Sequence, residues 1–134
     1  ATGLGCNLNG KPCRVRPCDH LKDAYGQTSC WAELHRRRPN MTQALLDAGI
    51  HARTWGDGYG YLLVASGRSD AMIDPIMNLW DKAAVQPVIL EAGGNFTDLN
   101  GNDSLYTHSS LATAGPLHDK ILQMADRDNR QAGI

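Results

Sequence analysis

The segment MNLWDKAAVQPVILEAGG, residues 77–94, restricts the fold more than any other because its residues are almost all apolar or small. Within it, residues 80–92 predict a helix whose apolar side chains cover most of the circumference. A helix that is apolar on nearly all sides is buried in a globular protein. Pro87 removes one backbone hydrogen bond and predicts a kink, and Gly93-Gly94 ends the helix. We therefore expect this helix to be buried by neighbouring elements.

The rest of the chain alternates between short strands and short helices, which predicts an α/β fold, a layered sheet with helices on both faces. Asn9-Gly10 is a strong hairpin signal. Residues 21–29 predict a helical turn and then a strand. The other predicted strands are 5–8, 12–15, 50–54, 71–73, 95–99 and 110–113, and the other helices are 31–38, 42–48, 58–66 and 117–125. The polar tail from Asp126 is predicted to fray.

Composition excludes several classes of function. The chain has 134 residues, enough for one small domain with a core, and a net charge of −1 that does not favour nucleic acid or an acidic membrane. The basic run at residues 35–38 is short and is typical of a solvated helix end. No apolar run reaches the ~20 residues of a membrane span and no signal-peptide pattern is present, so we expect a cytoplasmic protein.

Four cysteines allow two readings. An ordinary core favours reduced thiols over a disulfide scaffold. A zinc site formed by Cys13, Cys18 and His20 is the weaker reading, because the usual second ligand pair is absent. No two of the five histidines are four residues apart, so none forms a ligand pair on a helix.

Asp81 is the one carboxylate near the start of the predicted helix, directly after Trp80. Taken alone, it is better explained as an acid facing the positive end of the helix dipole, worth about 0.3–1 kcal/mol. The alternative is a metal ligand, since Mg²⁺ binds one or two protein carboxylates together with phosphate oxygens.

A second polar constellation lies in residues 53–75, where a predicted strand passes into a helix. Glycines at 56, 58 and 60 surround Asp57, and Arg68, Asp70 and Asp74 follow. Such a junction exposes backbone N–H groups to a polar ligand. Neither phosphate-binding glycine motif nor the serine-hydrolase motif is present, so nucleotide binding and serine hydrolysis are unsupported.

These motifs resemble a known family. Trp80-Asp81 through Glu91-Ala92-Gly93-Gly94 resembles the C-terminal signature of the inositol monophosphatase superfamily, which are Mg²⁺-dependent phosphomonoesterases. R-x-W-G-D-x-Y-G-Y-x-L-V-A-x-G-R-x-D-x-M-x-D-P at residues 53–75 resembles the histidinol-phosphatase branch. The resemblance continues through residues 96–99 and 112–113 and reaches back to residues 8–10. It implies that residues 1–134 form a single C-terminal domain of this fold, with residues 1–20 a hairpin remnant of the domain junction.

The resemblance also implies roles for individual residues. Asp81 matches a ligand of a catalytic metal, and Asp74 matches the acid that holds the substrate alcohol. Gly56, Asp57 and Gly58 match the segment that lines the same pocket, and Arg68 is a weaker candidate for it. A carboxylate at Asp57 suits a cationic substrate such as histidinol phosphate.

The chain departs from the family pattern in one large respect. The glutamate, the D-P-[IL]-D-G-T motif and the water-activating loop residue of the family's N-terminal half have no match here. One aspartate holds Mg²⁺ weakly. We therefore expect a C-terminal portion that is inactive by itself and needs an N-terminal half. The alternative is a non-enzymatic binding or oligomerisation module, whose former contact surface would be apolar and covered by self-association.

Overall fold

The computed structural model describes residues 2–131 and 133. Its main sheet has five strands in the order β4-β3-β5-β7-β6, and β1 and β2 form a separate hairpin. The strands are β1 (Cys6–Leu8), β2 (Lys11–Cys13), β3 (Tyr25–Thr28), β4 (His51–Thr54), β5 (Ala71–Asp74), β6 (Asn95–Thr97) and β7 (Ser110–Thr113). The helices are α1 (Trp31–Arg37), α2 (Pro39–Asp47), α3 (Asp57–Ala65), α4 (Leu79–Glu91) and α5 (Leu117–Gln131), and a 3₁₀ turn covers Leu21–Asp23.

The predicted α/β fold with helices on both sheet faces is confirmed. Side chains alternate across β5, so Ile73 packs with α1, α2 and α5 while Met72 packs with α3 and α4. Gly60 allows α3 to lie close to β5, because a Cβ at that position would come 2.8 Å from the methyl carbon of Met72 on β5. The two cores hold the sheet rigidly between two helical layers.

The sheet is mixed, and its parallel part positions the polar residues. β3 pairs in parallel with β4 and with β5, whereas β7 runs antiparallel to both β5 and β6. The carboxyl ends of β3 and β5 therefore lie at one edge of the sheet. Ser29 follows β3 there, and Asp74 is the last residue of β5. Ligands of open α/β sheets bind at such an edge.

The prediction that α4 is buried on nearly all sides is wrong. Lys82, Val85 and Ile89 are buried, but Trp80 is 71% exposed and Leu90 is 49% exposed. Ala83 and Ala84 are exposed between them. Because a helix repeats every 3.6 residues, these residues form an apolar stripe opposite the buried face. We call residues 80, 83, 84 and 90 the α4 stripe.

The other predicted elements are present in the predicted order, with ends shifted by a few residues. Pro39 ends α1 as expected and also begins α2, three residues earlier than predicted, because proline fits the first position of a helix. The prediction that the tail frays from Asp126 is wrong for the described residues, since α5 continues to Gln131.

The β1–β2 hairpin lies against α4. Asn9 and Gly10 both have positive φ, as a two-residue hairpin turn requires. The carboxylate of Glu91 accepts hydrogen bonds from the backbone N–H groups of Gly3 at 2.6 Å and Gly5 at 2.7 Å. All four cysteines carry free thiols. Across residues 2–131, no helix is both long and apolar enough to cross a membrane.

Candidate active site

A cleft of about 250 Å³ lies at the carboxyl ends of β3 and β5, between the first turns of α3 and α4. The three aspartates among the predicted site residues, Asp57, Asp74 and Asp81, all line it. The residues that line it are Ser29, Asp57, Gly58, Tyr61, Asp74, Ile76, Met77, Asp81, Ala84 and Val85. No lysine, arginine or histidine is among them, so the described wall of the cleft is acidic.

Asp74 is held on the floor of the cleft and is only 5% exposed. Its carboxylate accepts hydrogen bonds from the backbone N–H of Ser29 at 3.1 Å and from the Tyr61 hydroxyl at 2.9 Å. Burial raises the pKa of Asp74, the negative charge of Asp57 adds to that rise, and the hydrogen bonds from Ser29 and Tyr61 oppose it. Asp74 is therefore an oriented hydrogen-bond acceptor at the end of a rigid strand.

Tyr61 is fully buried behind Asp74. Its hydroxyl also hydrogen-bonds Ser110 on β7 and lies 3.2 Å from the sulfur of Met77. Burial raises the pKa of Tyr61 well above its usual range, and the charges of Asp74 and Asp81 raise it further. The hydroxyl therefore stays protonated and donates to the carboxylate.

Asp57 and Gly58 open α3 at the cleft, and Gly56 is the residue just before the helix. Asp57 has φ of 55°, a left-handed conformation that costs energy in a residue other than glycine. Its backbone N–H lies 3.3 Å from the hydroxyl oxygen of Ser29. Gly56 packs on the same serine. The strained turn presents the exposed Asp57 side chain at the mouth of the cleft.

Asp81 is an exposed residue in the first turn of α4. Among the described residues it has no hydrogen-bond or ion-pair partner, unlike Asp74. Three carboxylates in one cleft are a natural cation site. However, no three His, Cys, Asp or Glu side chains of residues 2–131 and 133 come together closely enough to hold a metal ion. Asp81 could therefore supply one ligand of a metal site, but the described residues do not complete such a site.

Two sequence-based candidates lie elsewhere. Arg68 is exposed in the turn after α3, at the opposite end of that helix from Asp57. A helix of nine residues separates its ends by about 13 Å. The weak zinc reading also fails for the described residues, because Cys13 faces Cys6 across the hairpin while Cys18 contacts the carbonyl of His20.

Sequence reasoning missed Ser29 and Tyr61. Ser29 carries a weak signal, since it is the last residue of the segment 21–29 that predicts a strand at its end. The G-Y-G-Y pattern contains two tyrosines, and only the packing of α3 shows that Tyr61 turns inward while Tyr59 is 51% exposed.

Known proteins are similar to this chain in sequence and in fold. The model of the inositol monophosphatase family matches residues 1–130. The chain belongs to the inositol monophosphatase family. A histidinol-phosphatase from Chlorobaculum parvum is 47% identical over 118 residues, which cover 84% of this chain and 44% of that protein. A histidinol-phosphatase from Mycobacterium tuberculosis is 36% identical over 102 residues, which cover 74% of this chain and 37% of that protein.

Solved structures of the family share the fold. An IMPase from Thermotoga maritima superposes with a TM-score of 0.84 at 23% identity, over 96% of this chain and 50% of that one. An IMPase/NADP phosphatase complexed with Mg²⁺ and phosphate has a TM-score of 0.76 at 23% identity, over 91% of this chain and 46% of that one. As a member of the inositol monophosphatase family, the chain spans less than half the length of the two histidinol-phosphatases named above.

Proposed function

We propose that this chain is the C-terminal portion of a Mg²⁺-dependent phosphomonoesterase of histidinol-phosphatase type. The observation that carries the proposal is the acidic cleft at the carboxyl edge of the sheet, which Asp57, Asp74 and Asp81 line. The two histidinol-phosphatase relatives support the substrate class. The family assignment supports phosphomonoester hydrolysis.

The cleft is suited to the amino-alcohol side of the substrate. Asp74 is oriented by Ser29 and Tyr61 to accept a hydrogen bond from a substrate hydroxyl or amine. Asp57 adds a charge at the mouth, where it attracts a cationic group. Gly56 and Gly58 flank that charge along the chain, and Gly58 also lines the cleft. Arg68 is not included in this proposal because it lies at the far end of α3.

Asp81 serves in this proposal as one ligand of the catalytic metal. Bound Mg²⁺ would neutralise phosphate charge. Because the described carboxylates do not complete a metal site, we assign the remaining ligands and the water-activating group to an N-terminal half, covalent or supplied by another chain. The isolated chain is then inactive. A cytoplasmic location and the absence of nucleic-acid or membrane partners stay predictions from the sequence.

A complementation assay tests the proposal. The 134-residue chain is mixed with the N-terminal region of a histidinol-phosphatase relative, and phosphate release from histidinol phosphate is measured with and without Mg²⁺. We expect no release from either part alone and Mg²⁺-dependent release from the mixture. Asp81→Asn abolishes the release, whereas the matched change Asp103→Asn, on the loop after β6, preserves it. Turnover by the isolated chain would contradict the assigned missing ligands.

Substrate choice has its own test in the same mixture. Asp57→Asn removes the charge at the cleft mouth but keeps the shape of the side chain. We expect kcat/KM for histidinol phosphate to fall about tenfold relative to inositol monophosphate, an energy of about 1.4 kcal/mol. An equal fall for both substrates would show that Asp57 does not select for positive charge.

The α4 stripe favours a second candidate function, a non-enzymatic oligomerisation module. Trp80 and Leu90 are exposed on one side of the helix, and an exposed apolar stripe is typical of an interface. If two copies pair through it, the mass in solution is twice 14.6 kDa. Trp80→Glu then restores the monomer, while Leu46→Glu on the exposed side of α2 does not. A monomer that gains activity with the N-terminal half supports the first function instead.

A further inference from the structure

Two cysteines face each other across the β1–β2 hairpin. Cys6 is paired with Cys13 in the register of the two strands, and their sulfur atoms are 3.4 Å apart. Both residues are half-buried, in a second cleft of about 330 Å³ between the hairpin and helices α3 and α4. The turn at Asn9-Gly10 fixes the register that brings the two thiols together.

We propose that Cys6 and Cys13 are an oxidation site, which forms a reversible intramolecular disulfide with low-molecular-weight disulfides such as glutathione disulfide. Directly paired residues of antiparallel strands have Cα atoms about 4.5–5.5 Å apart, within the range of about 4.4–6.8 Å seen in disulfides. Bond formation brings the sulfurs to about 2.05 Å, a movement that side-chain rotation supplies. Cys18 and Cys30 have no such partner among the described residues.

The reaction proceeds by two thiol–disulfide exchanges. Burial, the contact with Cys13 and the negative charge of Glu91 raise the pKa of Cys6 to about 11, which makes it a slow nucleophile at neutral pH. In the order we propose, the Cys13 thiolate attacks glutathione disulfide first, forms a mixed disulfide and releases one glutathione thiolate. Cys6 then loses its proton to solvent, attacks the Cys13 sulfur and expels the second thiolate. Two protein thiols are oxidised and one glutathione disulfide is reduced.

The bond stiffens the wall of this second cleft. The hairpin is already fastened to α4, because Glu91 accepts the N–H groups of Gly3 and Gly5 and the N–H of Val15 donates to the carbonyl of Ala92 at 3.0 Å. Oxidation removes the freedom of β1 and β2 to separate from each other, so the hairpin that lines this cleft becomes a single cross-linked unit. The site does not involve the carboxylates of the acidic cleft, so it stands independently of the proposed function.

Mass spectrometry after incubation with glutathione disulfide tests the site. The folded chain is quenched with acid, alkylated and digested with trypsin, which does not cut the Lys11-Pro12 bond. Residues 1–14 then form one peptide that holds both thiols. We expect this peptide to be unalkylated and 2 Da lighter than its reduced form, and to regain two alkylation sites after treatment with reduced glutathione.

Variants separate this outcome from general cysteine oxidation. Cys6→Ser is expected to stop at the mixed disulfide on Cys13, with no loss of 2 Da. The matched control Cys30→Ser, which removes an exposed thiol, keeps the light peptide. Full alkylation of both thiols in the wild-type chain, a lasting mixed disulfide, or a bond from either residue to Cys18 or Cys30 would overturn the proposal. The wild-type peptide decides the question even if Cys6→Ser fails to fold.

Discussion

The Tyr61 hydroxyl is the polar group on which the floor of the acidic cleft depends. It donates to Asp74 and shares a hydrogen bond with Ser110, so one buried atom connects α3, β5 and β7. Removal of one partner leaves a buried polar group unsatisfied, which costs more than the hydrogen bond itself gains. The position of Asp74 therefore depends on a side chain that touches no solvent.

Tyr61→Phe should lower the free energy of unfolding by about 1–3 kcal/mol, because Asp74 and Ser110 both lose a partner inside the protein. Urea unfolding followed by circular dichroism measures the change. Tyr59→Phe is the matched control, since that ring is half exposed and should alter stability by less than about 0.5 kcal/mol. Equal effects from the two variants would refute the role assigned to the Tyr61 hydroxyl.

His118 is a buried histidine whose ring is held in one tautomer. The Thr97 hydroxyl donates to the Asp98 carbonyl at 2.7 Å, so it accepts from the Nε2–H of His118 at 2.9 Å. Nδ1 then accepts from the Thr113 hydroxyl at 2.8 Å. Burial lowers the pKa of His118 below 6.5, and the nearby charge of Asp119 opposes that shift only in part. The native state thus prefers the neutral ring.

Stability should therefore fall as the pH falls below about 6.5. The unfolded chain binds the proton more readily than the native state, so the stabilisation present above pH 6.5 is lost toward the lower native pKa. Urea unfolding between pH 7.5 and 5 measures the slope. His118→Gln should flatten it, while His35→Gln, on the exposed side of α1, should leave it unchanged. A wild-type slope retained in His118→Gln would exclude this histidine as the cause.

At the scale of elements, the end of α5 serves as a cap for α2. The Asp128 carboxylate accepts the backbone N–H groups of Asn40 at 3.0 Å and Met41 at 2.9 Å, the first turn of α2. The polar sequence of the tail predicted that it would fray. That prediction failed because the contact joins residues almost ninety positions apart along the chain. A pattern within one helix carries no signal for a cap supplied by another.

Asp128→Ala should cost about 1 kcal/mol of stability, the usual effect of losing a helix cap. Asp126→Ala is the control, because within residues 2–131 Asp126 forms only an exposed pair with Arg130, worth about 0.5 kcal/mol or less. Thermal unfolding of both variants measures the difference. If the loss at residue 128 were no larger than that at residue 126, the capping role would be wrong.

The error over α4 has a related cause. The sequence pattern shows that residues 80–92 lack a wide polar face, and such a helix ordinarily lies in a core. The fold buries only Lys82, Val85, Ile89 and the adjoining Ala92, and leaves Trp80 exposed. Hydrophobic periodicity predicts which face of a helix favours burial. It does not indicate whether another element of the described chain covers that face.

At the scale of the whole molecule, the sequence predicted the fold class. It also assigned to one site three of the residues that line the acidic cleft. Asp57, Asp74 and Asp81 were identified because they match the motifs of the resemblance, since Asp81 taken alone is better explained as a partner of the helix dipole. Arg68 was placed with them through its motif, although it lies a helix length away. Ser29 and Tyr61 depend on strand order and side-chain direction, which neither motif nor periodicity contains.

The isolated chain should respond weakly to Mg²⁺. If Asp81 is the one metal ligand that this chain supplies, as proposed, we expect 1 mM Mg²⁺ to lie below the dissociation constant and to stabilise the fold by less than about 0.4 kcal/mol. The melting temperature should rise by less than about 2 °C, and Asp81→Asn should behave like the wild type. A rise of many degrees that Asp81→Asn removes would mean that the described carboxylates already form a tight site.

The order of the strands determines when the sheet can close during synthesis. β7 lies between β5 and β6, so β6 has no neighbouring strand of the sheet until residues 110–113 have emerged. Strands β4, β3 and β5 can pair earlier, since they follow one another along the chain. The apolar side chain of Phe96 on β6 is therefore covered only after the late strand β7 has been made. A ribosome-bound chain that stops before residue 110 would expose this side chain to chaperones and to other nascent chains.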